Sequence, residues 1–308
     1  MKYPFQINYI RIEDEIIKLS SAIQFSEEHL MVYSLDIADL IIRCSVELET
    51  IVKEIFYIEK NERKEETGEI LKWIEDNWNI SQKEIRIVSP YFEFESLRVF
   101  SPFDYKKDSV EDYYTIYNSI KHNKSKNLKN ATMYSLIRVL GALFVAETYY
   151  ENKTIDLGKD KYGDKIDRKG ISKIFEYLVA PCKEDGDLEL FEKNETKKCI
   201  YRILKKEGKY GFNLSFKNVN GSCTRLTLYN DSQLLQKYSK EKFMKWLPLE
   251  DFIKDMEELG VTTRKQFEED LITKYKVSIS KIKSVYCYKM EDTYYAELNK
   301  YINHKVLS

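Results

Sequence analysis

The segment from residue 36 to 57, DIADLIIRCSVELETIVKEIFY, constrains the fold of this chain more than any other. Ile37, Ile41, Cys44, Leu48, Ile51 and Ile55 recur at spacings of three and four, which puts all six on one side of a helix of 3.6 residues per turn. A long amphipathic helix with one buried face is therefore expected, and it needs a partner. The residues from Ala131 to Tyr150 supply one: Met133, Leu136, Ile137, Leu140, Leu143 and Phe144 form a second apolar stripe, suited to ridge-into-groove packing against the first. With only 10 glycines and 5 prolines in 308 residues, little interrupts such helices. Glu69 to Asn77 reads as a shorter helix. IRIVSPYFEFESLRVFSPF alternates polar with apolar around Pro90 and Pro102 and predicts an irregular hairpin. Asp108 or Ser109 can cap a helix running to about Lys121, and Asn127 or Asn130 the one that follows. Residues 1–152 thus read as an all-α helical bundle.

After Asn152 the texture changes. KTIDLGKDKYGDKIDRKG is charged and spotted with glycine, which predicts a linker and a second domain over residues 160–308. In that half GFNLSFKNV and SCTRLTLYN flank Asn220-Gly221, with Phe212, Leu214 and Phe216 alternating with polar residues as Leu226 and Leu228 do; an Asn-Gly pair between alternating runs is a hairpin signal. LPLEDFIKDMEELG and TRKQFEEDLITKYK return to helical spacing. The second half is expected to be α+β with a small antiparallel sheet.

Charge and cysteine usage exclude several classes. A net charge of -1 is too small for a chain that coats nucleic acid broadly, so any phosphate site must be local. The five cysteines are odd in number and never form CxxC, which argues against a disulfide framework or a zinc knuckle and for a reducing cytoplasm. No run approaches the roughly 18 apolar residues of a membrane span, and MKYPFQINYIRIEDE has no apolar core of a secretion signal. Neither GxxxxGK[ST] nor GxGxxG occurs, and Glu47/Glu49 and Asp251/Asp255 have no adjoining histidines; neither a metal nor a cofactor is implied.

Chemistry concentrates in YYTIYNSIKHNKSKNLKN. It holds His122, one of only three histidines, and four lysines, Lys121, Lys124, Lys126 and Lys129. On a helix Tyr114, Asn118 and His122 share a face. Imidazole titrates near neutrality, and the lysines could neutralise phosphate, which is what metal-free RNA cleavage by the 2′-hydroxyl requires. The plainer reading is a set of cations at the negative end of a helix dipole. Arg43 interrupts the apolar run LIIRCSVELE, where an arginine must snorkel or find a partner; Glu47, one turn on, is the expected one. Arg138 is a second candidate arginine. His29 reads as part of a helix start, and His304 lies near the end of the chain. The tyrosine-rich strings 113–117 and 285–295 could stack on bases or straddle core and solvent.

Over Leu35 to Tyr150, and chiefly through YNSIKHNKSKNLKNATMYSLIRVLGALFVAETYY, the chain resembles the HEPN domains, helical and usually dimeric ribonucleases of toxin and phage-defence systems. The resemblance implies an Rx4-6H motif, cleavage without metal, and a composite site at a homodimer interface. His122 matches the family histidine and Asn118 the polar position near the start of the motif. No arginine occurs between Arg98 and Arg138, so YNxxKHxK stands where the family arginine is expected. The expectation is a homodimeric, metal-independent endoribonuclease: His122 as general acid or base, Asn118 orienting the scissile group, Lys121, Lys124, Lys126 and Lys129 on phosphate, and Arg43 as replacement arginine oriented by Glu47. RNA, and an antitoxin or phage-derived trigger, are the expected partners. The alternatives are a non-catalytic HEPN-like module that binds RNA, a nucleotide or a protein, and a purely structural dimerisation bundle.

Overall fold

A computed structural model describes residues 5–104, 113–180, 193–206, 210–217, 223–228, 245–289 and 292–300, and they form a mixed α/β protein. The expected caps Asp108 and Ser109, the Asn220-Gly221 turn and His304 lie outside the described residues. Five helices of ten or more residues dominate the first part: α1 (Phe5–Leu19), α2 (Leu35–Lys60), α3 (Thr67–Trp78), α4 (Tyr113–Asn127) and α5 (Met133–Glu151).

α2 starts where the Ser34 side chain accepts the N–H of Ile37 at 3.1 Å and stops at Asn61, whose φ of 55° is left-handed; the cap fills one of the orphan donors of a helix start, and asparagine tolerates the turn that ends it. All six of its periodic residues are buried. α5 is capped by Thr132, whose hydroxyl accepts the N–H of Ser135, rather than by Asn127 or Asn130; Asn127 instead donates its side-chain amide to the Ser119 carbonyl at 2.7 Å. α5 is buried from Ser135 to Tyr149 on every side, the pattern of a central helix, and packs on α1, α2 and α4. Trp78 stacks on Tyr149 with ring centroids 5.1 Å apart, closing the α3 side of the core.

Short strands flank this helical core. The predicted irregular hairpin resolves into β2 (Ile85–Ile87) antiparallel to β4 (Val99–Phe100), while β3 (Phe92–Glu93) between them pairs in parallel with β1 (Phe25–Ser26). The other edge of β2 takes β6 (Phe175–Tyr177). A second sheet has the order β5 (Ile155–Gly158), β13 (Thr293–Leu298), β8 (Tyr201–Lys206), β7 (Val179–Ala180); a six-residue helix, α6 (Lys193–Lys198), precedes β8. Buried Glu13 on α1 ties in the segment before β6. Its carboxylate accepts the Tyr9 hydroxyl at 2.9 Å, the N–H groups of Lys173 and Ile174 at 2.9 and 3.3 Å, and the Ser172 hydroxyl. A buried carboxylate is tolerated only when its lone pairs are filled in this way.

Within the stretch after residue 152 that reads as a linker, residues 155–158 form a strand: Asp156 pairs with Tyr295 and Ile155 with Ala296. The chain divides into two compact units at other points, with residues 1–204 and 294–308 in the first and 205–293 in the second. The second unit has its own sheet, ordered β10 (Cys223–Leu228), β9 (Tyr210–Lys217), β12 (Ile282–Lys289), β11 (Lys245–Pro248), with every pair antiparallel. Leu214 faces Leu226 across the β9–β10 pair, where the hairpin was expected. Helices α7 (Leu249–Glu258) and α8 (Arg264–Tyr275) supply Phe252, Met256, Phe267 and Leu271 to a separate core with Val285. A capping box between Thr263 and Gln266 starts α8.

Candidate functional site

α4 has one buried edge, made by Ile116, Tyr117 and Ile120. Asn118 and Ser119 are half-buried, and Thr115, Lys121 and His122 are exposed. The described residues therefore place Asn118 and His122, one turn apart, on the outer side of the helix; the Tyr114 side chain lies outside the described residues. The helix does not stop after His122 but breaks there: Asn123 has φ -152° and ψ 70°, and the chain then continues helically to Asn127. The Asn127 amide on the Ser119 carbonyl bridges the break, satisfying an acceptor of the last regular turn. His122 thus sits in the final turn before a kink, at the end of the dipole that favours a cation.

The lysines fare differently from one another. Lys124 forms an ion pair with Asp39 of α2, and the Lys121 ammonium lies 5.0 Å from the centroid of the Tyr117 ring, a cation–π distance. Lys126 and Lys129 are exposed. The cationic strip is thus anchored to α2 through Lys124, by an acid the sequence did not single out.

Arg43 is not held by Glu47. Its guanidinium forms a fork with Glu15 of α1, Nη2 donating to Oε1 at 2.9 Å and Nη1 to Oε2, with both side chains nearly half exposed. This bond holds the Glu15 carboxyl below its usual range and raises Arg43. Glu47 accepts the Asn8 amide at 3.0 Å through Oε1, and its Oε2 is buried without a hydrogen-bond partner among the described residues. The i, i+4 spacing suggested a pair that an acid 28 positions away pre-empts, because two planar groups on neighbouring helices can meet bidentately. Arg138 is 9% exposed; it donates to the Tyr134 hydroxyl at 3.0 Å and to the carbonyls of Ser101, at 3.2 Å, and Asp104. That makes it a tie between α5 and the segment after β4. His29 Nδ1 lies 3.0 Å from the Ser26 hydroxyl, in keeping with a role in the local turn.

Among the described residues no group of three His, Cys, Asp or Glu is placed to hold a metal, and no helix is long and apolar enough to cross a membrane. Compared with protein-family models, with curated proteins and with solved structures, the chain matches none.

Proposed function

We propose that the protein is a metal-independent endoribonuclease of the toxin or phage-defence kind, with the helices of residues 1–152 as the HEPN-like part of the first unit, acting as a homodimer. The observation that carries this reading is the exposed imidazole of His122 in the last turn before the α4 break, one turn from Asn118 and in the same strip as Lys121, Lys126 and Lys129. In the reaction the 2′-hydroxyl loses its proton as its oxygen attacks phosphorus. The P–O5′ bond breaks, and the departing 5′-oxygen takes a proton. His122 serves one of these two transfers, and the His122 of a second copy can serve the other. The lysines draw in the phosphate backbone, and Asn118 orients the scissile group. Arg43 faces solvent in its fork with Glu15, and its proposed part is to bind a flanking phosphate. An antitoxin or a phage-derived trigger would act as regulator.

A second reading, a non-catalytic RNA-, nucleotide- or protein-binding module, is favoured by a specific pairing: Arg43 and Lys124 already answer Glu15 and Asp39, which lessens the charge left for a phosphorane. Incubating wild type and His122→Ala with total RNA in EDTA separates the readings. The enzyme reading expects fragments from wild type and a loss of about 10² to 10⁴-fold in the variant, the usual worth of a general acid or base. Binding without cleavage supports the module.

A further inference from the structure

The break in α4 comes directly after His122, where the buried edge of the helix runs out. Ile116, Tyr117 and Ile120 face the core. The next positions on that side, three and four residues on, are Asn123, which is exposed, and Lys124, which is half-buried and paired with Asp39 of α2. Beyond Asn127 the chain must reach the start of α5, and that start is fixed elsewhere: Met133 and Tyr134 donate their N–H groups to the carbonyls of Val32 and Leu30, each at 2.9 Å, and Thr132 bridges to Tyr33. The chain is thus pinned on both sides of Asn123.

A sharp helix break has a physical cause, commonly a proline, a glycine or a side chain inserted into the ladder of main-chain hydrogen bonds. Neither proline nor glycine stands between Tyr113 and Asn130. The inserted side chain is that of Asn127: its Nδ2 donates to the Ser119 carbonyl at 2.7 Å, eight positions back and across the break. In a regular helix that carbonyl accepts the N–H of residue 123, and Asn123 is the residue whose φ of -152° and ψ of 70° leave the helical region. Ser119 belongs to the same last turn as His122, so the bond ties the turn that bears the imidazole to the arm beyond it. We propose that Asn127 is a positioning residue for His122, its amide holding α4 broken so that the final turn presents the imidazole and Asn118 in one fixed orientation. This rests on the reading of His122 as the general acid or base. Such a group must meet its proton within hydrogen-bond reach, and a displacement of about 1 Å can cost about 10²-fold in rate.

Asn127→Ala removes the amide, and Asn127→Leu keeps its approximate shape without the donor. Ser125→Ala is the control in the same arm: it deletes an exposed bond to the Asn123 side chain, at 3.2 Å, and spares the one between Asn127 and Ser119. The full chain is compared at a temperature where every variant is folded, by two readouts. One is the Cε1–H resonance of His122 in protein made with isotope-labelled histidine, assigned among the three histidines by its loss in His122→Ala. The other is steady-state cleavage of RNA in EDTA. In both Asn127 variants the resonance should leave its wild-type position, and kcat should fall about 10- to 10²-fold while KM stays within about twofold, because misplacing a group that acts in the transition state spares ground-state binding. Ser125→Ala should match wild type in both. A resonance that stays put, an unchanged kcat, an effect confined to KM, or the same changes in Ser125→Ala overturns the proposal. Equal cleavage by wild type and His122→Ala overturns the nuclease reading instead, and the rate effect with it; the resonance alone then decides whether Asn127 sets the orientation of His122.

Discussion

Lys83 shows most clearly what one residue contributes. It is 2% exposed, and its Nζ donates to the Lys197 carbonyl at 2.8 Å. Burial pushes its ammonium from the ordinary 10.5 to about 8, because a charge without water is penalised more than one hydrogen bond repays. The unfolded chain therefore holds the proton more tightly, and between about pH 8 and 10.5 it binds more protons than the folded one. Stability due to this group accordingly rises with pH across that window, by at most about 3 kcal/mol. Denaturant unfolding of wild type and Lys83→Met at pH 7.5 and 10 should show wild type gaining on the variant at the higher pH; parallel behaviour would mean the ammonium is hydrated after all. Nothing in the sequence marked Lys83, since a lysine reads as surface wherever it occurs. The same limit hid Glu15 and Asp39. Their pairing with Arg43 and Lys124 depends on how helices cross, whereas Glu47 was visible only because i, i+4 neighbours can be counted along the chain. His122 stood out through scarcity, and its exposure agrees with an accessible group.

At the scale of the element, α5 is packed closely at Gly141. A Cβ added at Gly141 would stand 2.9 Å from Ile85 Cδ1, 3.1 Å from Phe100 Cζ and 3.2 Å from Pro102 Cγ. In an open helix Gly→Ala stabilises by up to about 1 kcal/mol; here overpacking costs about 1–3 kcal/mol, since the Ile85 end can move but the two rings behind it have less freedom. Gly141→Ala should thus lower stability by about 1 kcal/mol in a urea titration, and a gain would contradict the close approach of β2 and β4 to α5. The buried face of α2 and the alternating strands β9 and β10 were legible because hydrophobic period is local. The α5 cap was not, because several asparagines and a threonine near residue 130 can all cap a helix, and only the position of the Ser135 N–H selects Thr132. A helix end near Lys121 was expected, close to the α4 break at Asn123, but the helical turn that resumes after it had no sequence signal.

At the scale of the molecule, the texture change near residue 152 marked the end of α5 and not the edge of a domain. Residues 155–158 return to the first unit by pairing with a strand some 140 positions later, a contact beyond the reach of any local pattern. The second unit, 205–293, is an insertion between β8 and β13, and these are neighbours in one sheet. Replacing residues 207–291 by a short turn should therefore leave a chain with a single cooperative thermal transition and the helical circular dichroism of the first unit; loss of that transition would show that the first unit depends on the insertion. Whether the first unit cuts RNA through His122 is decided most directly by end-group analysis of fragments formed in EDTA. The account predicts 2′,3′-cyclic phosphate and 5′-hydroxyl ends from wild type, and almost none from His122→Ala at matched stability. Fragments with 3′-hydroxyl ends, or equal cleavage by the two proteins, would contradict it.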